Sequence, residues 1–146
     1  MQLKQIGKPP YSDWMKGLRI RSNWSSKFGA AMKNGSLAQI YMWKMFKSKE
    51  YRFVDMLKFI AGCTLSLENL WPEVMDINLY EKVDSLKVPA YFFLGRNDYQ
   101  APSIIADMYI KCLKADIKEI VWFEESAHFC HIEEEEKFAL EMQNII

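Results

Sequence analysis

The sequence predicts a protein of the α/β class, in which a helical segment is followed by a β-α-β-α unit with parallel strands. In the second half of the chain, two apolar runs, "VPAYFFLG" and "EIVWF", alternate with two amphipathic stretches. Apolar runs without polar alternation are typical of strands buried on both faces of a parallel sheet. A strand, a helix and a second strand in this order favour a right-handed crossover and therefore a parallel pair.

The first half of the chain predicts helices. Apolar residues recur at helical spacing in residues 36–46, "SLAQIYMWKMF", and in residues 51–60, "YRFVDMLKFI". In residues 66–80, Ser66 is a candidate N-cap and Pro72 a candidate helix breaker, so we expect short helices there. Strand signals are weak throughout this half.

The helices of the second half are amphipathic. In the first helix, the apolar side chains lie on one face: Ile104, Ile105, Met108, Tyr109, Cys112 and Leu113. The second, "EEEEKFALEMQNII", has glutamates in its first turn, where the helix dipole favours them. Composition and charge both change near residues 87–89. We therefore predict two parts, residues 1–87 and residues 88–146.

Charge and cysteine usage narrow the class of protein. Residues 1–87 carry 14 Lys and Arg against 8 Asp and Glu, and residues 88–146 carry 5 against 11. Three cysteines without CxxC spacing do not suggest a disulfide framework, which favours a reducing, cytoplasmic setting. No stretch approaches the roughly 18 apolar residues of a membrane span, and the N-terminus has no apolar core of signal-peptide length. We expect a soluble protein without a membrane partner or a cofactor.

Two residues in the second half are candidates for catalysis. Asp98 follows the first predicted strand and His128 follows the second. Because adjacent parallel strands end at the same edge of a sheet, their loops are expected to meet. An Asp beside a His there forms the orienting half of a triad, in which the carboxylate fixes the imidazole tautomer and the imidazole removes a hydroxyl proton. Turn chemistry for Asp98 and a structural role for His128 are the alternatives.

The pattern "VPAYFFLGRNDYQAP", "KEIVWFEESAHF" and "EEEEKFALEM" resembles the C-terminal end of an α/β-hydrolase, with proline iminopeptidase-like bacterial hydrolases as the nearest likeness. The resemblance extends to "LKQIGKPPY" at residues 3–11 and to the helical stretch through Tyr80, which is similar to a lid. It implies that Asp98 is the triad acid and His128 the base. It also implies hydrolysis of an ester or an amide, with an N-terminal prolyl peptide as one such substrate.

The chain departs from that family in two large respects. It contains no G-x-S-x-G nucleophile elbow and no early glycine-rich oxyanion loop. Ser126 lies too close to His128 along the chain to replace the missing serine, and nothing around it resembles an elbow. The sequence is therefore expected to be the C-terminal half of a longer hydrolase, as a truncated gene, one chain of a split enzyme or a repurposed module.

The sequence also contains features that are typical of other classes of function. "HFCH", residues 128–131, lacks a second ligand pair at zinc spacing, so no metal is expected. Basic residues interleaved with aromatic residues between positions 14 and 33 suggest nucleic-acid binding. No recognised nucleic-acid motif accompanies them, so we expect no nucleic-acid partner. The stronger rival is an interaction module. The first predicted strand lacks a neighbour and exposes an open edge, through which an N-terminal hydrolase chain or a second copy could pair.

Overall fold

The computed structural model describes residues 13–145, apart from the side chains of Leu37 and Ala38, so the "LKQIGKPPY" segment at residues 3–11 lies outside the described part. In chain order the elements are α1 (Trp14–Lys27), α2 (Leu37–Lys47), α3 (Phe53–Met75), α4 (Leu79–Lys82), β1 (Ala90–Gly95), α5 (Ser103–Cys112), β2 (Lys118–Phe123), α6 (Cys130–Glu133) and α7 (Glu135–Ile145). Helices and a parallel sheet occur together, which is compatible with the predicted α/β class.

The chain forms two compact units. One contains the described residues up to 34 together with residues 79–145, and the other is Gly35–Asn78. The first unit holds the sheet, and the second holds α2 and α3, which pack on each other. The division into a lid, residues 1–87, and a core, residues 88–146, stays a prediction.

The sheet consists of β1 and β2, which pair in parallel from Ala90 opposite Lys118 to Gly95 opposite Phe123. The predicted parallel pair is confirmed. Only the two ends of β1 are buried, however, and its four central residues are half-buried, so the expectation of burial on both faces was wrong for them. The reason is that the sheet has two strands in the described part of the chain.

Helix α5 connects the strands, as predicted, but a different face points inward. Ser103, Asp107 and Ile110 are buried, and the Ser103 hydroxyl donates a hydrogen bond of 2.7 Å to the carbonyl of Gly95, the last residue of β1. Three large apolar side chains of the predicted stripe are exposed: Ile104, Ile105 and Met108. The face of the helix that lies against the end of β1 is therefore the one that carries Ser103, and not the one that carries the apolar stripe.

Helix α3 is longer than expected. It continues from Phe53 through Ser66 and Pro72 to Met75, so the predicted N-cap and breaker were wrong. Pro72 removes one backbone donor, but the helix continues through it for three more residues, to Met75. The helix lines an open groove of about 550 Å³ with Phe59, Gly62, Cys63, Ser66, Leu67, Leu70, Trp71 and Val74. Even so, within residues 13–145 no helix combines the length and the apolar character needed to cross a membrane.

Gly95 ends β1 where the chain passes very close to the loop after β2. A Cβ atom built on Gly95 would lie 1.8 Å from the carbonyl oxygen of Ala127 and 2.7 Å from that of Ser126. No real side chain tolerates such distances, and the obstacle is backbone, which cannot rotate away. Glycine is therefore required here by close approach.

We predict that Gly95→Ala lowers the free energy of unfolding by about 1 to 3 kcal/mol, the usual cost of overpacking, because the two loops must separate. Gly62→Ala is the matched control, since a Cβ there meets no atom within 4 Å. Gly62 lies inside α3, so alanine should be neutral or stabilising by up to about 1 kcal/mol. Urea unfolding of both variants checks this, and equal stabilities would contradict it.

Candidate active site

Asp98 organises the turn that follows β1. Its Oδ1 accepts hydrogen bonds of 2.9 Å from the backbone N–H groups of Gln100 and Ala101. Its own N–H donates to the carbonyl of Gly95 over 3.3 Å. Turn chemistry, the alternative interpretation of this residue, therefore applies. It occupies only one carboxylate oxygen and leaves Oδ2 free to face the next loop.

Asp98 and His128 meet at the carboxyl ends of the two strands. Nδ1 of His128 lies 2.8 Å from Oδ2 of Asp98. The carboxylate side chain is 8% exposed and the imidazole 34% exposed, so the acid is buried and the histidine reaches the surface. An ionised carboxylate can only accept, which places a proton on Nδ1. The neutral imidazole then has its lone pair on Nε2, the nitrogen farther from Asp98.

Backbone hydrogen bonds join the two loops along their length. The N–H of Arg96 donates to the carbonyl of Phe123 over 2.8 Å, and the N–H of Asn97 donates to the carbonyl of Ser126 over 2.9 Å. The Asn97 side chain donates to the carbonyl of Glu124 over 3.0 Å. Asp98 and His128 are thus presented by two loops that continue the pairing of their strands.

A charged pair covers this junction. The guanidinium of Arg96 donates two hydrogen bonds, of 2.9 and 2.7 Å, to the carboxylate of Glu124 and stacks on the ring of Trp122 at 3.8 Å from its centre. These hydrogen bonds hold the pKa of Glu124 below its ordinary value and raise that of Arg96. A lowered carboxyl pKa favours the folded state above its unfolded pKa, and the benefit is lost as the pH falls through the folded value. Since both groups are solvated, the pair fixes geometry more than it adds stability.

A third segment, residues 29–33, fastens both loops; we call it the staple segment. The carbonyl of Ala30 accepts two N–H groups from the turn after Asp98, each over 3.1 Å, and the carbonyl of Ala31 accepts the N–H of His128 over 3.0 Å. Gly29 enters the segment with φ of +70°, a conformation that glycine adopts without strain. Sequence reasoning missed these residues, because they act through backbone carbonyls, and only the small side chains of "GAA" hinted at close approach.

Other reactive side chains near His128 are turned away or inert. Ser126 is fully buried and donates its hydroxyl to Glu134 over 2.5 Å, so it is not directed at the imidazole. Burial raises the pKa of the Cys130 thiol, which keeps it protonated at neutral pH. Within the described residues, no three His, Cys, Asp or Glu side chains are arranged to hold a metal ion.

Three of the basic residues between positions 14 and 33 have partners inside the protein. Arg21 donates to the carbonyl of Gln100 over 3.0 Å, and Lys33 forms an ion pair with Glu125. Lys27 lies 4.9 Å from the centre of the Trp24 ring. Two of these three cations therefore contribute to the surroundings of the Asp98 and His128 loops.

Comparison with known proteins gives one informative similarity. The chain is 31% identical over 134 residues to the "Probable aminopeptidase YbaC" of Bacillus subtilis (strain 168). The chain is thus similar to a probable peptidase. The match covers 92% of this chain and 42% of the relative, so the chain spans less than half of the relative's length. No protein-family model and no solved structure matches the sequence.

We predict that Asp98→Asn preserves the turn but changes the tautomer of His128. The amide oxygen of asparagine can accept the same two N–H groups as Oδ1, which leaves its NH₂ group facing Nδ1. Nδ1 must then accept, and the proton moves to Nε2. Imidazole ¹⁵N chemical shifts measure this change. Asp107→Asn, which alters an equally buried aspartate paired with Lys111, is the control and should leave the tautomer unchanged.

Proposed function

We propose that this chain supplies the acid, Asp98, and the base, His128, of a Ser-His-Asp hydrolase of the α/β-hydrolase type. The observation that carries the proposal is their hydrogen bond of 2.8 Å at the carboxyl ends of two adjacent parallel strands. A buried carboxylate holding a partly exposed imidazole is the arrangement that this chemistry needs. The similarity to a probable aminopeptidase supports hydrolysis as the reaction class.

The reaction proceeds through His128. In the proposed mechanism its Nε2 removes the proton of a serine hydroxyl, while the serine oxygen bonds to the carbonyl carbon of the substrate. The imidazolium, stabilised by Asp98, then protonates the leaving amine as the C–N bond breaks. Water repeats the sequence to release the acid product. The serine and the oxyanion donors come from sequence outside residues 1–146.

The relative's name, a probable aminopeptidase, supports the proposed substrate class, and the resemblance to proline iminopeptidase-like hydrolases supports the prolyl preference. We propose an amide bond next to a free amino terminus, with a prolyl residue as the preferred case. Under this proposal residues 1–87 form the lid of the enzyme, and residues 88–146 form the last part of its core.

A second candidate function is that of a pairing module, supported by the outer edge of β1. The N–H of Arg96 faces β2, and backbone groups of a strand alternate in direction, so Tyr91 and Phe93 direct theirs away from β2. On the outer edge of β2, by contrast, the carbonyl of Trp122 already accepts a hydrogen bond of 2.7 Å from the ammonium group of Lys137. Side chains of this kind protect an edge, and within residues 13–145 no third strand covers β1.

We predict that the chain alone does not hydrolyse aminoacyl or prolyl p-nitroanilides, and that activity appears on mixing with a polypeptide that carries the serine. The two polypeptides to test as the source of the serine are the product of the adjacent upstream reading frame and the part of the Bacillus subtilis relative outside the match. His128→Ala should reduce the gained activity by at least about 1,000-fold, since the residues of a triad act as a unit. His131→Ala, which alters the neighbouring exposed histidine, is the control and should retain it.

Two results would contradict this proposal. Turnover by the chain alone that depends on His128 would show that the serine need not come from outside. Equal activity of the His128→Ala and His131→Ala complexes would remove His128 from the mechanism.

For the pairing module, we predict that the chain without a partner self-associates through β1. Tyr91→Pro removes an outward N–H and leaves the β1–β2 ladder intact, because proline is tolerated where the N–H points to solvent. Phe92→Pro removes an inward N–H and should unfold the sheet instead. Sedimentation equilibrium should show a wild-type dimer and a Tyr91→Pro monomer; a monomeric wild-type chain at all concentrations would refute the idea.

A further inference from the structure

We infer that Glu133 is a positioning residue for His128, which acts by clamping the histidine loop to the staple segment. One of its carboxylate oxygens, Oε2, accepts the N–H of Ala127 over 2.8 Å. The other, Oε1, accepts the N–H of Lys33 over 2.6 Å. A single carboxylate thus links Ala127, the residue before His128, to Lys33 at the end of the staple segment. The same segment accepts the N–H of His128 through the carbonyl of Ala31. This inference rests on the proposed function, because it concerns the orientation of the proposed base.

The N–H of Ala127 needs this acceptor. Ala127 is fully buried, and a buried N–H without a partner is costly, so the loop adopts this path only while an acceptor is present. The next residue, His128, donates its N–H to Ala31, two residues before Lys33. The clamp and this hydrogen bond therefore lie side by side. Losing the clamp frees the loop next to the imidazole and leaves Asp98 on its other side unaffected.

Glu134 offers a chemical contrast within the same loop. Within the described residues, hydrogen bonds reach only its Oε2, which accepts both the Ser126 hydroxyl over 2.5 Å and the N–H of Glu125 over 3.1 Å. The oxygen of a glutamine amide can replace Oε2 completely. Glutamine at position 133 cannot replace glutamate, because each oxygen of the Glu133 carboxylate accepts one N–H, and the NH₂ group of glutamine would face one of these two donors.

The sequence did not suggest this role. A run of four glutamates, Glu133–Glu136, predicts the solvated first turn of a helix. Glu135 and Glu136 match this prediction, because they are exposed in the first turn of α7. Helix α7 begins only at Glu135, however, and the half-buried Glu133 and Glu134 turn back toward the histidine loop. Four identical residues in a row gave no signal of this division.

The test compares three variants of the full chain that remove the same charge: Glu133→Gln, Glu134→Gln and Glu136→Gln. The first readout is the deshielded Nδ1 proton of His128 in the NMR spectrum, identified by its loss in Asp98→Asn. The second is the hydrogen exchange rate of the Ala127 amide. We expect Glu133→Gln to broaden or shift the Nδ1 proton and to raise the exchange rate about tenfold or more, as for loss of one buried hydrogen bond. Glu134→Gln and Glu136→Gln should leave both unchanged.

In the complemented enzyme, Glu133→Gln should lower kcat by about tenfold or more at an unchanged KM, since it disturbs the base and not substrate binding. An unchanged Nδ1 proton in Glu133→Gln, or equal effects in all three variants, would overturn the inference and leave the proposed function intact. No deshielded proton in the wild-type chain would count against the Asp98–His128 pair itself, and so against both.

If Glu133→Gln does not fold, hydrogen exchange of the wild-type chain still tests the inference. The amides of Ala127 and Lys33 must then exchange as slowly as the amides of β2, because both are held by the same carboxylate. Fast exchange at either amide would overturn the inference.

Discussion

The geometry of the candidate site depends on how closely the backbone at Gly95 approaches the backbone at Ala127. Because position 95 has no Cβ, the loop after β1 lies directly against the loop after β2. The parallel register ends at the same point, with Gly95 opposite Phe123, so both loops leave the sheet from one level. Three residues after Gly95 the chain reaches Asp98, and one residue after Ala127 it reaches His128. The distance between carboxylate and imidazole is thus set mainly by the main chain.

Around this contact, nearly all supporting interactions use backbone groups. Carbonyls of Ala30 and Ala31 receive donors from both loops, Asp98 caps its own turn, and Glu133 holds the N–H of Ala127. Such groups have little conformational freedom once the chain path is set, so the imidazole is held with a small entropic cost. The side chains that add charge at the rim, such as Arg96 and Glu124, are solvated and reinforce a geometry that already exists.

This distinction explains which features could be predicted from the sequence. The parallel pair and the positions of Asp98 and His128 were predictable, because apolar runs mark strands and parallel strands end at a common edge. The staple segment was not, since backbone carbonyls carry no sequence signature. The inward face of α5 was predicted wrongly: most of its apolar stripe is exposed within the described residues, and the side that contacts the end of β1 through Ser103 is buried. The breaker at Pro72 was predicted wrongly because the loss of one backbone donor does not by itself end a helix.

The same distinction bears on how the proposed enzyme would be assembled. Among the described residues, every interaction that orients His128 comes from residues 29–33 and 95–134, which belong to one compact unit. This unit by itself therefore holds Asp98 and His128 in their mutual geometry. A partner that pairs with β1 would need to spend its binding energy only on placing the serine and the oxyanion donors, because the orienting half of the triad already has its geometry. If the site is divided between two polypeptides, Asp98 and His128 stay on the same chain. Their hydrogen bond is the interaction that most needs a common framework.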